Sequence, residues 1–99
     1  MKNKVPFKKD LKELAKRIKR YVLENPDLFW NVETEQSECQ LTVGCDGVST
    51  DFGYQTGDNS YSGGAYSYPH WAIVTITNHS NIEEVSKDLI NQFYDLINQ

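Results

Sequence analysis

The sequence predicts an α+β two-layer domain, with N- and C-terminal helices packed on one face of a three- or four-stranded, mainly antiparallel sheet in the order α-β-β-β-α. Three observations predict it. Apolar residues recur at helical spacing near each end of the chain, they alternate with polar ones through its middle, and a β-branched run precedes the second helical pattern. The 99 residues suffice for one hydrophobic core, so residues 1–99 are read as a single domain.

The first helix rests on Phe7, Leu11, Leu14, Ala15, Ile18, Tyr21 and Val22, the recurrence of an amphipathic helix. Pro6 suits a first helical position. Asn25-Pro26 ends the helix, because the residue before proline is pushed out of the α region. The predicted span is Pro6 to Glu24. Asp27-Leu28-Phe29-Trp30 then supplies an aromatic plug for one end of the core, through a turn or the start of a strand. Cys39, Leu41, Val43 and Cys45 alternate with Gln40, Thr42 and Gly44, which places a half-buried strand at about 37–45. Asp46-Gly47 signals a turn, and the alternation of 51–56 completes a hairpin. The continuous run Trp71–Thr77 predicts a strand covered on both faces, at the centre of the sheet. Ser80-Asn81-Ile82-Glu83 has the form of a capping box with Ser80 as the cap, opening a second helix whose stripe is Ile82, Val85, Leu89, Ile90, Phe93, Leu96 and Ile97.

Between these strands lies GDNSYSGGAYSYPH, residues 57–70, with neither helical nor strand periodicity. Loops of this length usually have a use. Tyrosine offers wide contact area at low rotamer cost while serine and asparagine adapt their hydrogen bonds, so Tyr61, Tyr66, Tyr68, His70, Asp58 and Asn59 are the candidate binding residues. The alternative is that the tyrosines fold back and cap a thin sheet.

Charge divides the chain. Net charge is −4, but residues 1–20 hold nine of the ten basic residues against Asp10 and Glu13, a balance of +7, and the remainder holds only Lys87 against twelve carboxylates, a balance of −11. Such asymmetry bears on partners and association rates rather than on fold. At 100° per residue, Lys8, Lys9, Lys12, Lys16, Lys19 and Arg20 lie opposite the apolar stripe of the first helix, as a basic ridge. Lys9, Lys12, Lys16, Lys19 and Arg20 are therefore candidate nucleic-acid contacts. Attraction of the same ridge to the acidic rest of the molecule is the competing expectation.

Other chemistries find little support. Cys39, Cys45, His70 and His79 have zinc-ligand chemistry without a zinc-site spacing, and the two cysteines occupy core positions of one strand. Asp46, Asp51, Asp58 and Asn59 lack the calcium-loop pattern, and turn formation explains them. No metal and no cofactor is expected. Ser60, Ser62, His70 and Asp58 include the residue types of a hydrolytic triad, without the nucleophile elbow that would support one. Ser62-Gly63-Gly64 lacks the lysine and spacing of a phosphate loop.

The longest apolar run, Trp71–Val74, is far too short for a membrane span, and the basic N-terminus is not followed by an export-type apolar segment. Two reduced cysteines six residues apart on one strand fit a cytoplasmic setting, with no membrane partner. In size and charge alone the chain resembles the small acidic antirestriction and anti-CRISPR inhibitors of phages and mobile elements. That resemblance implies a non-catalytic inhibitor that masks a basic, nucleic-acid-handling surface on a partner protein. A nucleic-acid binder using the first helix is the alternative, and a small hydrolase or ligand-binding domain using residues 57–70 is the third. Exposed sheet edges and aromatics also admit a homodimer.

Overall fold

The computed structural model describes residues 8–93. Pro6, Phe7, Leu96 and Ile97, expected to extend the helical stripes, lie outside them. The chain runs α1 (Lys8–Glu24), β1 (Trp30–Asn31), β2 (Gln36–Cys45), β3 (Thr50–Gln55), β4 (Tyr61–Gly63), a 3-10 turn (Ala65–Ser67), β5 (His70–Thr77) and α2 (Ile82–Gln92). All strand pairings are antiparallel, and both helices cover one face of the sheet: the α+β two-layer domain.

In α1, Leu11, Ala15, Ile18 and Val22 are buried, as their spacing requires. The helix stops where expected: the Asn25 backbone N–H and its side-chain amide both donate to the Tyr21 carbonyl at 3.0 Å, just before Pro26. Phe29 is fully buried and meets Tyr21 edge-on at 5.1 Å, plugging the end of the core. The helix-facing side of the sheet contributes Cys39, Leu41, Val43 and Cys45 from β2 and Ala72, Val74 and Ile76 from β5. Full burial of each large apolar side chain is worth ~1.5–3 kcal/mol. Val85 and Leu89 of α2 and Phe93, its C-cap, complete the same cluster.

Four features depart from the sequence pattern. First, β2 is central, flanked by β3 and β5, while β5 pairs with β2 alone and is an edge strand. Its burial alternates: Ala72, Val74 and Ile76 face the helices, and Trp71 and Thr75 are exposed. The strand covered on both faces is β2, where Leu41 to Cys45 are all buried. Second, residues 57–70 are not one loop. Tyr61–Gly63 pair with Gly53–Gln55 as β4, and Ala65–Ser67 turn back over β2. With β1, which pairs Trp30 with Ser37 and Asn31 with Gln36, the sheet has five strands. Third, Asn81 and not Ser80 caps α2: Asn81 Oδ1 accepts from the Glu83 and Glu84 amides at 2.9 and 3.3 Å. Ser80 Oγ is occupied one step earlier, accepting from the Thr77 amide at 2.9 Å and closing the turn after β5. Fourth, the basic ridge is not uniformly turned to solvent. Lys12 pairs with Glu83, and Lys19 Nζ donates to the Ser80 carbonyl at 2.8 Å, so both bind the start of α2.

Candidate functional site

The alternation of the strands fixes which side chains share the face turned away from the helices. The register aligns Gly44 with Asp51 and Trp71, Thr42 with Gly53 and Ile73, and Gln40 with Gln55 and Thr75. Tyr61 pairs with Gln55 and therefore belongs to this outer face. The 3-10 turn lies on it because β2 and β3 are bare there. A Cβ on Gly44 would overlap the Ala65 carbonyl oxygen and sit 3.1 Å from the Ala65 Cα. One on Gly53 would collide with the Tyr61 ring, and Gly63 opposite it has φ +119°.

These glycines let a ladder of three aromatic rings cross the outer face. Tyr61 and Tyr66 stack tilted at 5.1 Å, and Tyr66 meets Trp71 edge-to-face at 5.0 Å and 77°. Both geometries are favourable for aromatic pairs. Thr42 Oγ1 donates to the Tyr66 hydroxyl at 3.3 Å, tying the ladder to the central strand. The rings differ in access. Tyr66 is 44% exposed and Trp71 48%, whereas the Tyr61 hydroxyl is buried without a hydrogen-bond partner, and burial pushes its phenol up.

The structure brings Tyr61 and Tyr66 together and joins to them Trp71, which the sequence pattern assigned to a covered strand. Tyr68 is half-buried beyond the turn, and His70 is exposed where β5 begins, beside the end of β2. Asp58 and Asn59 sit at the opposite end of the sheet, in the β3–β4 turn. There the Asp58 carboxylate accepts from the Thr56 hydroxyl and from the Ser60 amide. Those bonds hold its pKa below the usual carboxylate range, the Thr56 contact most strongly. Asn59 adopts φ 69°, a conformation asparagine tolerates better than most residues. Ser62 and His70 lie on opposite edges of the sheet, three strands and four residues apart, roughly 20 Å at standard sheet spacings, so no triad forms from them. Among the described residues no three His, Cys, Asp or Glu side chains converge where they could hold a metal ion. Cys39 and Cys45 are free, buried thiols on the helix-facing side, and burial pushes Cys39 up to about 12.

The two layers separate charge. Residues 25–81, which form the sheet and its turns, contain Asp27, Glu33, Glu35, Glu38, Asp46, Asp51 and Asp58 and no lysine or arginine. All the cations of the described chain therefore belong to the helices. Asp51 and Trp71 flank Gly44 on the same level of the outer face, two strands apart, roughly 10 Å, with Tyr66 carried over the strand between them. Lys9, Lys16 and Arg20 remain exposed on α1, with Lys16 3.6 Å from Glu13. No helix of the described residues is long and apolar enough to cross a membrane. Comparison of the chain with protein families, with curated proteins and with solved structures gives no match.

Proposed function

We propose that this chain is a non-catalytic protein-interaction module whose outer sheet face holds an arginine- or lysine-rich surface of a partner protein, masking a surface that handles nucleic acid. The observation that supports it is the pairing of exposed, pre-positioned Trp71 and Tyr66 with a sheet layer that has seven carboxylates and no cation. Tryptophan and tyrosine are the side chains that most often dominate binding energy in an interface. Their faces also attract guanidinium and ammonium groups, by about 0.5–2 kcal/mol depending on desolvation. An arginine stacked on Trp71 or Tyr66 would find the Asp51 carboxylate within one side chain's reach. The surrounding negative field would speed encounter with a basic surface and repel nucleic acid itself.

The test is affinity capture from the source cell's lysate, with and without nuclease and at raised salt, using the wild-type chain and a Trp71→Ser/Tyr66→Ser variant. A stoichiometric, nuclease-resistant partner with a basic surface, lost with the variant while its circular dichroism is kept, is the expected result. Recovery of nucleic acid alone, released by salt and unaffected by the variant, would overturn the reading in favour of α1.

A further inference from the structure

A concave surface lies on the other side of the molecule, between α1 and β3. It is a groove of about 360 Å³ lined by Arg17, Arg20, Tyr21, Glu24, Phe52 and Tyr54. That volume is at the small end of the range for ligand pockets and suits a single ring system. Its floor is aromatic because β3 turns Phe52 and Tyr54 towards the helices, and Tyr54 meets Tyr21 edge-on at 5.8 Å. The wall holds two cations one helical turn apart. The Arg17 guanidinium carbon stands 5.2 Å from the Phe52 ring centroid. Among the described residues the ion pairs are Lys12–Glu83 and Lys16–Glu13, so neither Arg17 nor Arg20 belongs to one.

We propose that this groove binds a small organic anion, a flat apolar body bearing one carboxylate or phosphate head, with the head held by Arg17 and Arg20 and the body laid on Tyr54, beside the Phe52 ring that Arg17 covers. Guanidinium groups present planar, paired donors that match carboxylate and phosphate oxygens, and one already stacked on an aromatic ring loses little freedom on binding. Glu24 lines the groove, and Asp10 and Glu13 line an adjoining open hollow that shares Arg17, Arg20 and Phe52 with it. These carboxylates select against ligands that carry a second negative charge away from the head. The site does not depend on the outer sheet face and stands or falls separately from it.

Heteronuclear NMR on the full chain, following backbone amides and arginine Nε–H groups, tests this with phenyl phosphate, benzoate, inorganic phosphate and benzamide. The expected result is saturable shifts at Arg17, Arg20, Phe52 and Tyr54 with both aromatic acids, at least about tenfold weaker binding of inorganic phosphate, and none of benzamide. An Arg17→Gln/Arg20→Gln variant should weaken the aromatic acids about tenfold or more. No saturation at millimolar aromatic acid, shifts spread equally over Lys9 and Lys16, or equal binding of inorganic phosphate would each overturn the proposal. The wild-type shift map decides the matter even if the double variant folds poorly.

Discussion

Gly44→Ala is the sharpest perturbation of the aromatic ladder, because Gly44 is where the chain of residues 64–68 rests on the central strand. The added methyl would overlap the Ala65 carbonyl oxygen and lie 3.0 Å from the Ala65 carbonyl carbon, both backbone atoms that no rotamer change can move aside. β2 is held by β3 on one edge and β5 on the other, so the 3-10 turn must lift, taking Tyr66 with it. Overpacking of this kind costs about 1–3 kcal/mol, and the smaller entropy of the unfolded alanine chain returns about 0.4–1 kcal/mol. The net loss, about 1.3 kcal/mol at mid-range and at most about 2.6 kcal/mol, should lower Tm by roughly 5–10 °C, and by no more than roughly 20 °C, in a domain of this size. Gly64→Ala is the control, since its methyl would press mainly on the movable tip of the Asp51 side chain, 2.8 Å away. Thermal melting gives the stability, and Trp71 emission in a Trp30→Phe background reports whether Tyr66 still stacks on it. Wild-type melting and unchanged Trp71 emission in Gly44→Ala would refute the argument that glycine at this position allows the ladder to form.

Other substitutions test the remaining supports of the fold. Gln92 acts as a short strand mimic, its side-chain amide accepting from the Ile73 amide at 2.9 Å and donating to the Ile73 carbonyl at 2.8 Å on the open edge of β5. Gln92→Ala should therefore increase self-association, read as concentration-dependent sedimentation, and a strictly monomeric variant would show that the edge needs no guard. Asn81→Ala should cost about 1 kcal/mol through the lost cap of α2, measured by denaturant unfolding, and a neutral effect would contradict the assignment of Asn81 as the cap. Tyr61→Phe should melt at or above the wild type, because it keeps the ring over Gly53 and removes a buried hydroxyl without a partner, and a clear loss of stability would mean that hydroxyl is bonded. Burial raises the Cys39 thiol from 9.0 to about 12, so the unfolded chain ionises first as pH rises. The thiol's contribution to stability is then complete below pH 9.0 and is lost progressively towards about 12. Cys39→Ala should flatten that alkaline fall, and an identical pH profile would refute the linkage.

The helices and the main hairpin were legible because their periodicities come from one buried stripe or one buried face. The outer face was not. Thr42 and Gly44 read as the polar side of a half-buried strand, yet both are buried, because their cover comes from Ala65 and Tyr66, more than twenty residues later. The same event hides β4, whose three residues are too few to show an alternation and contain a glycine at positive φ. In β5 the aromatic and β-branched outer residues imitate a strand covered on both sides, although Trp71 and Thr75 are exposed. Trp71 thus entered the site only through the register. Ser80 and Asn81 are both good caps, and the backbone after β5 decides between them by using Ser80 first. Arg17 is hidden in the sequence for a different reason. At 100° per residue the ridge of lysines and Arg20 stands apart from the apolar stripe of α1, whereas Arg17 reaches sideways to a ring on β3.

The most direct test of the outer-face account is a single NMR experiment in which the chain is titrated with a short arginine-rich peptide and, separately, with duplex DNA. The account predicts saturable peptide-induced shifts centred on Trp71, Tyr66 and Asp51, abolished by Trp71→Ser/Tyr66→Ser, and no DNA-induced shifts at those residues. DNA-induced, salt-sensitive shifts along Lys9, Lys16 and Arg20, with the peptide leaving Trp71 and Tyr66 unmoved, would contradict it.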